Sequence, residues 1–270
     1  MYAYRDQQIK SLHILVISIF IGTALALMKS SGKPILNGIQ LFYHLLFKLL
    51  HLVILLAPLA VFGSMAYTVS KFGLATLISL GEVILLVFCT CIFFVAIILG
   101  LICRSLGLRI TKILYYIREE IMLTLGTSTS EIVLPSLIEK LIKKGCDKEI
   151  VALVLPAGYS FNLDGMSIYL GIGVVFLAQA YGVDLSFSKE LILLGFMLLI
   201  SKGSAGVTGA GFITFTAIVT TTNILPVEGL PLLLSIDRFM SIARSFTNMV
   251  GNVVATVVID RLEDPKKIKF

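Results

Sequence analysis

The chain has 270 residues, of which 57% are hydrophobic and 14% charged, and its mean hydropathy is +1.00. Soluble domains carry about 25% charged residues, so the composition excludes an ordinary globular cytosolic enzyme and implies a polytopic membrane protein. The net charge of +6 gathers beside apolar runs, at residues 104–118, 140–148 and 261–269. That is the positive-inside pattern, which places those connectors in the cytoplasm, and no soluble domain offers a nucleic-acid patch.

In chain order, residues 12–28 read as a short apolar span ending at a polar segment from Lys29 to Lys33. Residues 41–69 predict a second span, kinked at Pro58. Residues 74–103 predict a third, apolar apart from Glu82, and residues 104–120 form a basic connector. Residues 121–141 carry the polar run Gly126 to Glu131 at their centre and basic clusters on both flanks. One crossing would put those clusters on opposite faces, so the segment predicts a re-entrant hairpin with its tip buried or facing a wet cavity.

Residues 150–178 predict one span interrupted between Pro156 and Gly165, where Asn162 and Asp164 fall at its middle. An amide and a carboxylate there cost several kcal/mol in hydrocarbon unless satisfied, and broken helices line the sites of secondary transporters. Residues 191–222 repeat the hairpin pattern around a glycine-rich break, 201–211, with little flanking positive charge, so it opens to the outside. Residues 231–259 are the last span. The order hairpin, broken span, hairpin, polar span predicts an inverted internal duplication whose tips converge near the midplane.

Cys89, Cys91, Cys103 and Cys146 lack metal-ligand spacing and read as small hydrophobes; His13, His44 and His51 carry no assigned chemistry. In the last span Asp237, Ser241, Arg244, Ser245, Asn248 and Asn252 recur at spacings of three and four, which puts them on one face. A guanidinium inside a span needs an anionic partner, and its planar fork matches a carboxylate. A carboxylate substrate is the expected partner of Arg244; a structural pair with Asp237, two turns earlier, is the alternative. Asn162 and Asp164 suit a cation beside unwound backbone, a proton-sharing structural Asp being the alternative. Ser128, Thr129 and Ser130 offer hydroxyls and N–H groups to a carboxylate, and Glu131 reads as a snorkelling or proton-carrying group.

The segments Gly126 to Pro135, Pro156 to Tyr169, Ser201 to Phe212 and Asp237 to Asn252 resemble the four signature segments of the dicarboxylate/amino acid:cation symporter family. This is the glutamate transporter fold, and the likeness is strongest to its bacterial dicarboxylate branch. It extends upstream through Ala57, Pro58 and Gly73 and over Tyr116 to Glu120, so it covers nearly the whole chain.

The resemblance implies an all-α polytopic membrane protein with two re-entrant helical hairpins and a broken transmembrane helix. Residues 1–73 would be partial trimerisation scaffold, 74–259 the transport core and 260–270 a cytoplasmic tail. The chain starts within what resembles the fourth span, which implies an N-terminally truncated form: a fragment, a split gene product or a decaying copy. Ser128, Thr129, Ser130, Val207, Gly211, Ser241, Arg244, Ser245 and Asn248 would surround the substrate. Gly158, Asn162, Asp164, Ser201, Ser204, Asn248 and Asn252 would hold the coupling cation, Na+ or H+, with no further cofactor. The transport core would move as an elevator against a homotrimeric scaffold in the inner membrane.

Two departures from the family pattern sharpen this expectation. Amino-acid transporters hold the substrate ammonium with an Asp where Ser241 stands, so a substrate lacking an amino group is favoured. Asn252 replaces an Asp that helps bind sodium in archaeal and animal relatives, which makes proton coupling more plausible. Met166 replaces a Thr, Thr129 a common Ser, and Ile132 and Ile242 occupy positions that are polar in the dicarboxylate branch. The implied function is symport of succinate, fumarate or malate. The alternatives are an acidic amino-acid symporter and a truncated, non-transporting remnant. An intramembrane aspartyl protease built on Asp164 and Asp237 would leave both hairpins and Arg244 unexplained, so no enzyme activity is expected.

Overall fold

The computed structural model describes residues 20–25, 27–39, 41–42, 45, 57–201 and 208–264. The chain divides into two compact units, Met1–Ala60 and Val61–Phe270. In the first, a 3-10 turn over Lys29–Gly32 runs into a helix over residues 33–39. Most of the expected spans over 12–28 and 41–69 lie outside the described residues, as do His13, His44, Lys48, His51 and the basic tail beyond 264.

Among the described residues the elements are helical throughout. Helix α1 is Ala57–Phe72. Helix α2 runs Ala75–Ser105 as one rod of 31 residues, with a π-helical stretch at Phe94–Leu99. There follow α3 (Ile110–Tyr116), α4 (Arg118–Thr127), α5 (Leu134–Lys144), α6 (Lys148–Phe161), α7 (Asp164–Ala180), α8 (Phe187–Ser201), α9 (Ala210–Thr222) and α10 (Leu230–Glu263). Among the described residues three stretches are long and apolar enough to cross a membrane: Ala75–Ser105, Lys148–Ala180 and Val227–Glu263.

Local chemistry sets the breaks. Asp147 caps α6 by accepting from the Glu149 N–H at 2.8 Å, and its own N–H donates to Asp260 Oδ1 at 2.6 Å, which ties the start of α6 to the end of α10. Pro135 opens α5, and Gly145, at φ 107, closes it in the left-handed conformation that favours glycine. At Asn162 and Leu163 the backbone leaves helical geometry (ψ 78 and 76), so the predicted span breaks there into α6 and α7.

The core separates into two apolar clusters. One joins the first half of α2, α7, α9 and the N-terminal half of α10, for example Val87, Leu170, Phe215 and Ile236. The other joins the second half of α2, α3 to α6 and the C-terminal half of α10, for example Leu99, Ile117, Leu137, Leu155 and Val254. On α10 the first cluster ends at Ala243 and the second begins at Met249. On the broken span the change falls between Tyr159 and Leu163. A polar belt thus lies between two hydrophobic halves, at the level of the helix break.

Some sequence boundaries are corrected. The basic connector 104–120 contains helix α3, and Arg118 to Glu120 already belong to α4. Helix α4 continues through Gly126 and Thr127, so the first hairpin turns at Ser128. In the second hairpin Ser201 ends α8, and Ala210 and Gly211 begin α9, so all three lie in helices and not in the break.

Candidate functional site

The polar face of α10 is buried as its spacing predicts: Asp237, Ser241, Arg244, Ser245, Asn248 and Asn252 are each at most 4% exposed. Arg244 Nη1 donates to Asp237 Oδ1 at 2.7 Å, so the pairing offered as the alternative partner of this arginine is the one formed. The guanidinium also lies over Tyr169, with Cζ 4.3 Å from the ring centroid. A Cβ at Gly211 would fall on Arg244 Cζ and Nη1, so only glycine lets the first turn of α9 approach the cation this closely.

The two hairpins meet at one backbone oxygen. Ser128 takes the left-handed conformation (φ 55, ψ 32) that ends α4. Its carbonyl accepts from Ser245 Oγ at 2.8 Å, Thr208 Oγ1 at 3.3 Å and Ser241 Oγ at 3.4 Å. Thr208 lies beside the second hairpin's tip and also accepts from Arg238 Nη1 at 3.2 Å. Both hairpins and α10 therefore converge on Ser128, with Ser130 buried and Thr129 half-buried at the same turn.

The helix break faces the same belt. Asn248 Oδ1 accepts the Gly165 N–H at 2.8 Å, which satisfies one of the free donors at the start of α7. Asn162 Nδ2 donates to Asp164 Oδ2 at 3.4 Å, and the Gly158 carbonyl accepts the Asn162 N–H at 2.7 Å. Three glycines let the chains close here. A Cβ at Gly165 would meet the Arg244 backbone, one at Gly251 the Asp164 Oδ2 atom, and one at Gly158 the Asn252 amide. Asn252 is buried with neither polar atom hydrogen-bonded.

Among the described residues, no three His, Cys, Asp or Glu side chains gather as a transition-metal centre would. The donors assembled are amide, carboxylate and carbonyl oxygens, the set that suits a hard cation.

Of the expected substrate residues, the structure brings together Ser128, Gly211, Ser241, Arg244 and Ser245, with Thr129 and Ser130 adjoining. Val207 and Ser204 lie outside the described residues. Of the cation residues, Gly158 and Asn252 meet, Asn162 and Asp164 meet, and Asn248 holds the start of α7. Ser201 is buried at the end of α8, with its hydroxyl donating to the Leu198 carbonyl at 3.3 Å. Met166 is buried in the first apolar cluster.

Sequence reading missed Thr208 and Tyr169. The hydroxyl of Thr208 within an otherwise glycine-rich break was its signal. Tyr169 falls on the face of α7 that carries Gly165, Met166 and Gly173, one turn spacing apart.

The sequence pattern of the sodium:dicarboxylate symporter family matches residues 5–262. The C4-dicarboxylate transport protein of Laribacter hongkongensis is 48% identical over 253 residues, 94% of this chain and 57% of that protein. Its namesake in Xanthomonas campestris pv. campestris strain B100 is 45% identical over 94% of this chain and 56% of its own length. That of Pseudomonas syringae pv. tomato is 47% identical over 92% of this chain and 54% of its own. The chain thus spans about half the length of the curated relatives it matches. With that match over nearly its full extent, the chain belongs to the sodium:dicarboxylate symporter family.

Proposed function

We propose that this chain carries the substrate- and cation-binding core of a C4-dicarboxylate symporter of the inner membrane. The observation that carries the reading is the buried Arg244 guanidinium, held by Asp237 through one nitrogen at the belt where both hairpins reach α10. An anionic substrate is the natural ligand of an arginine so placed, and closing over it without a compensating charge would be costly. The names of the relatives support a C4-dicarboxylate as that anion.

Ser241 supports the same choice, since a hydroxyl there offers no anionic partner to a substrate ammonium. Around the dicarboxylate we place Ser128, Thr129, Ser130, Val207, Gly211, Ser241, Arg244, Ser245 and Asn248. The coupling ion, Na+ or H+, is placed at Gly158, Asn162, Asp164, Ser201, Ser204, Asn248 and Asn252. The buried, unpaired Asn252 amide favours a ligand or water there, because an unsatisfied buried polar group costs about 1–3 kcal/mol. Hairpins α4–α5 and α8–α9 act as re-entrant gates, and residues 74–259 move together against a trimeric scaffold that includes residues 1–73.

Radiolabelled succinate uptake into proteoliposomes tests the proposal under imposed sodium and proton gradients separately. Gradient-driven uptake that Arg244→Ala abolishes is the expected result. Uptake that is absent, or indifferent to Arg244, overturns it. Competition by aspartate as effective as by fumarate would assign the amino-acid class instead.

A further inference from the structure

The two basic clusters near α2 to α5 are used differently. Lys140 is paired with both Glu119 and Glu120, at 2.7 and 2.8 Å. Arg104 and Arg109 are exposed, and neither guanidinium makes a hydrogen bond, ion pair or ring contact among the described residues. Both line a cavity of about 530 Å³ between the end of α2 and the start of α3.

The shape of this cavity follows from the turn beside it. Gly107, at φ +72, reverses the chain, and Leu108 N–H donates back to the Cys103 carbonyl at 2.9 Å. Arg261 Nε, from the end of α10, donates to the Leu106 carbonyl at 3.4 Å and holds the turn in place. One wall is a stripe of α2 at spacings of three and four: Ile97, Gly100 or Leu101, then Arg104. Arg109 and Thr111 form the other wall.

Depth identifies the ligand. A helix of 31 residues is about 46 Å long at ~1.5 Å per residue, against a hydrocarbon core of about 30 Å. Arg104, one residue from the end of α2, therefore falls at headgroup level, while Leu101 and Ile97 stand exposed about one and two turns deeper, toward the acyl chains. Unpaired cations above an apolar groove complement an amphiphile with an anionic head and hydrocarbon tail. We propose that this cavity is a binding site for an anionic phospholipid, with its phosphodiester held by Arg104, Arg109 and the Thr111 hydroxyl and an acyl chain laid along Ile97 and Leu101. The site is independent of the transport reading.

The test is native mass spectrometry of the full 270-residue chain released from nanodiscs containing equal phosphatidylglycerol and phosphatidylcholine. Wild type should retain one phosphatidylglycerol in clear preference to phosphatidylcholine. Each arginine near the surface should contribute about fivefold, so R104Q/R109Q lowers the preference roughly twenty-five-fold. K143Q/K148Q, an equal charge change on exposed lysines nearby, should leave it unaltered.

Wild-type protein retaining both lipids equally would overturn the proposal without recourse to any variant. So would an unchanged preference in R104Q/R109Q, or in single R104Q and R109Q where the pair does not fold. An equal loss in the lysine control would reduce the effect to general surface charge and overturn it too. Displacement of the lipid by millimolar inorganic phosphate would assign the site to soluble phosphate.

Discussion

The two helical hairpins differ in how they are held. Hairpin α4–α5 is fastened at its base as well as its tip. Near the base, Ser136 Oγ donates to Glu120 Oε1 at 2.6 Å, Lys140 bridges Glu119 and Glu120, and Tyr116 Oη donates to the Lys140 carbonyl at 2.8 Å. Lys140 and Lys144 also lie over the Tyr116 ring. These contacts run from the end of α3 and the first turn of α4 to the last turn of α5, so α5 folds back along α4. In hairpin α8–α9 the hydroxyls of Thr214, Thr220, Thr221 and Thr222 donate to carbonyls of α9 itself. Thr208 ties it to Ser128 and Arg238, Lys189 Nζ donates to the Asp184 carbonyl at 2.9 Å, and its apolar residues Leu191, Leu198, Leu199 and Ile213 are exposed. Polar clasps that cross elements resist separation, whereas bonds within one helix survive its displacement. Leu193, Phe215, Ile218 and Val219 bury its other face in the first apolar cluster, so among the described residues the second hairpin is held mainly by apolar packing and the first by packing and polar clasps together.

The largest expected break in this contrast is Lys140→Met. Glu120 is only 4% exposed, and it would lose its cation. Removing one partner of a fully buried pair costs about 3–5 kcal/mol, and the partial exposure of Lys140 lowers the expectation to about 2 kcal/mol. Hydrogen exchange over residues 118–144 should accelerate accordingly, with 210–222 unchanged, and Glu120→Gln should restore part of the loss. Equal acceleration in both hairpins would mean that the clasp is not local.

Next comes Gly211→Ala, whose Cβ displaces the Arg244 guanidinium from its place beside Asp237. Overpacking of this kind costs about 1–3 kcal/mol, and a guanidinium that retreats should give about 1 kcal/mol with a tenfold or larger fall in succinate uptake. The same change at Gly126, in open space on α4, should instead stabilise by about 0.5–1 kcal/mol. Urea or thermal unfolding reads the opposite signs.

A smaller effect separates the ties at the tips. Ser245→Ala removes the 2.8 Å bond to Ser128 and should cost about 1 kcal/mol, the net worth of an ordinary hydrogen bond. Thr208→Val removes a 3.3 Å bond and should cost less, but it should raise hydrogen exchange in residues 210–222 more than Ser245→Ala does. The reverse order would place the main anchor of the second hairpin elsewhere.

The smallest effect is that of acid. Burial pushes the Glu120 carboxyl up, yet the Lys140 ammonium and the Ser136 hydroxyl outweigh it and hold it below the usual carboxylate range. A depressed carboxyl stabilises the folded state above its unfolded value of about 4.3, and the contribution is lost as pH falls through the lower folded value. Protection of 118–144, corrected for intrinsic exchange, should be level from neutral pH down to about 4.3 and decline below it. Decline in 210–222 at the same pH would remove the distinction.

Much of this arrangement was legible in the sequence because hydrocarbon penalises polar groups in known places. Asn162, Asp164 and Gly165 inside an apolar run marked the break, and the three-and-four spacing on α10 marked its buried face. The partner of Arg244 was harder to read. Asp237 lies seven residues away, nearly in register on the helix, and a long side chain leaning toward the N-terminus reaches it. Sequence spacing allowed that pair but could not weigh it against an external anion. Helix α3 was hidden because it is only seven residues long and stands among charges that dominate any periodic signal. The close approaches at Gly165 and Gly251 depend on what packs opposite, which no local pattern encodes.

The Ser128 carbonyl has one more consequence. A carbonyl oxygen has two lone pairs, yet three hydroxyls point at this one, at 2.8, 3.3 and 3.4 Å. The acceptor is oversubscribed, so one donor is always surplus. On the proposed reading, an incoming carboxylate would recruit Ser241 or Thr208 and still leave the oxygen doubly bonded. Donor exchange at this point therefore needs no intermediate with a stranded polar atom, and the junction of the two hairpins can trade partners at little cost in a medium where stranded polar atoms are heavily penalised.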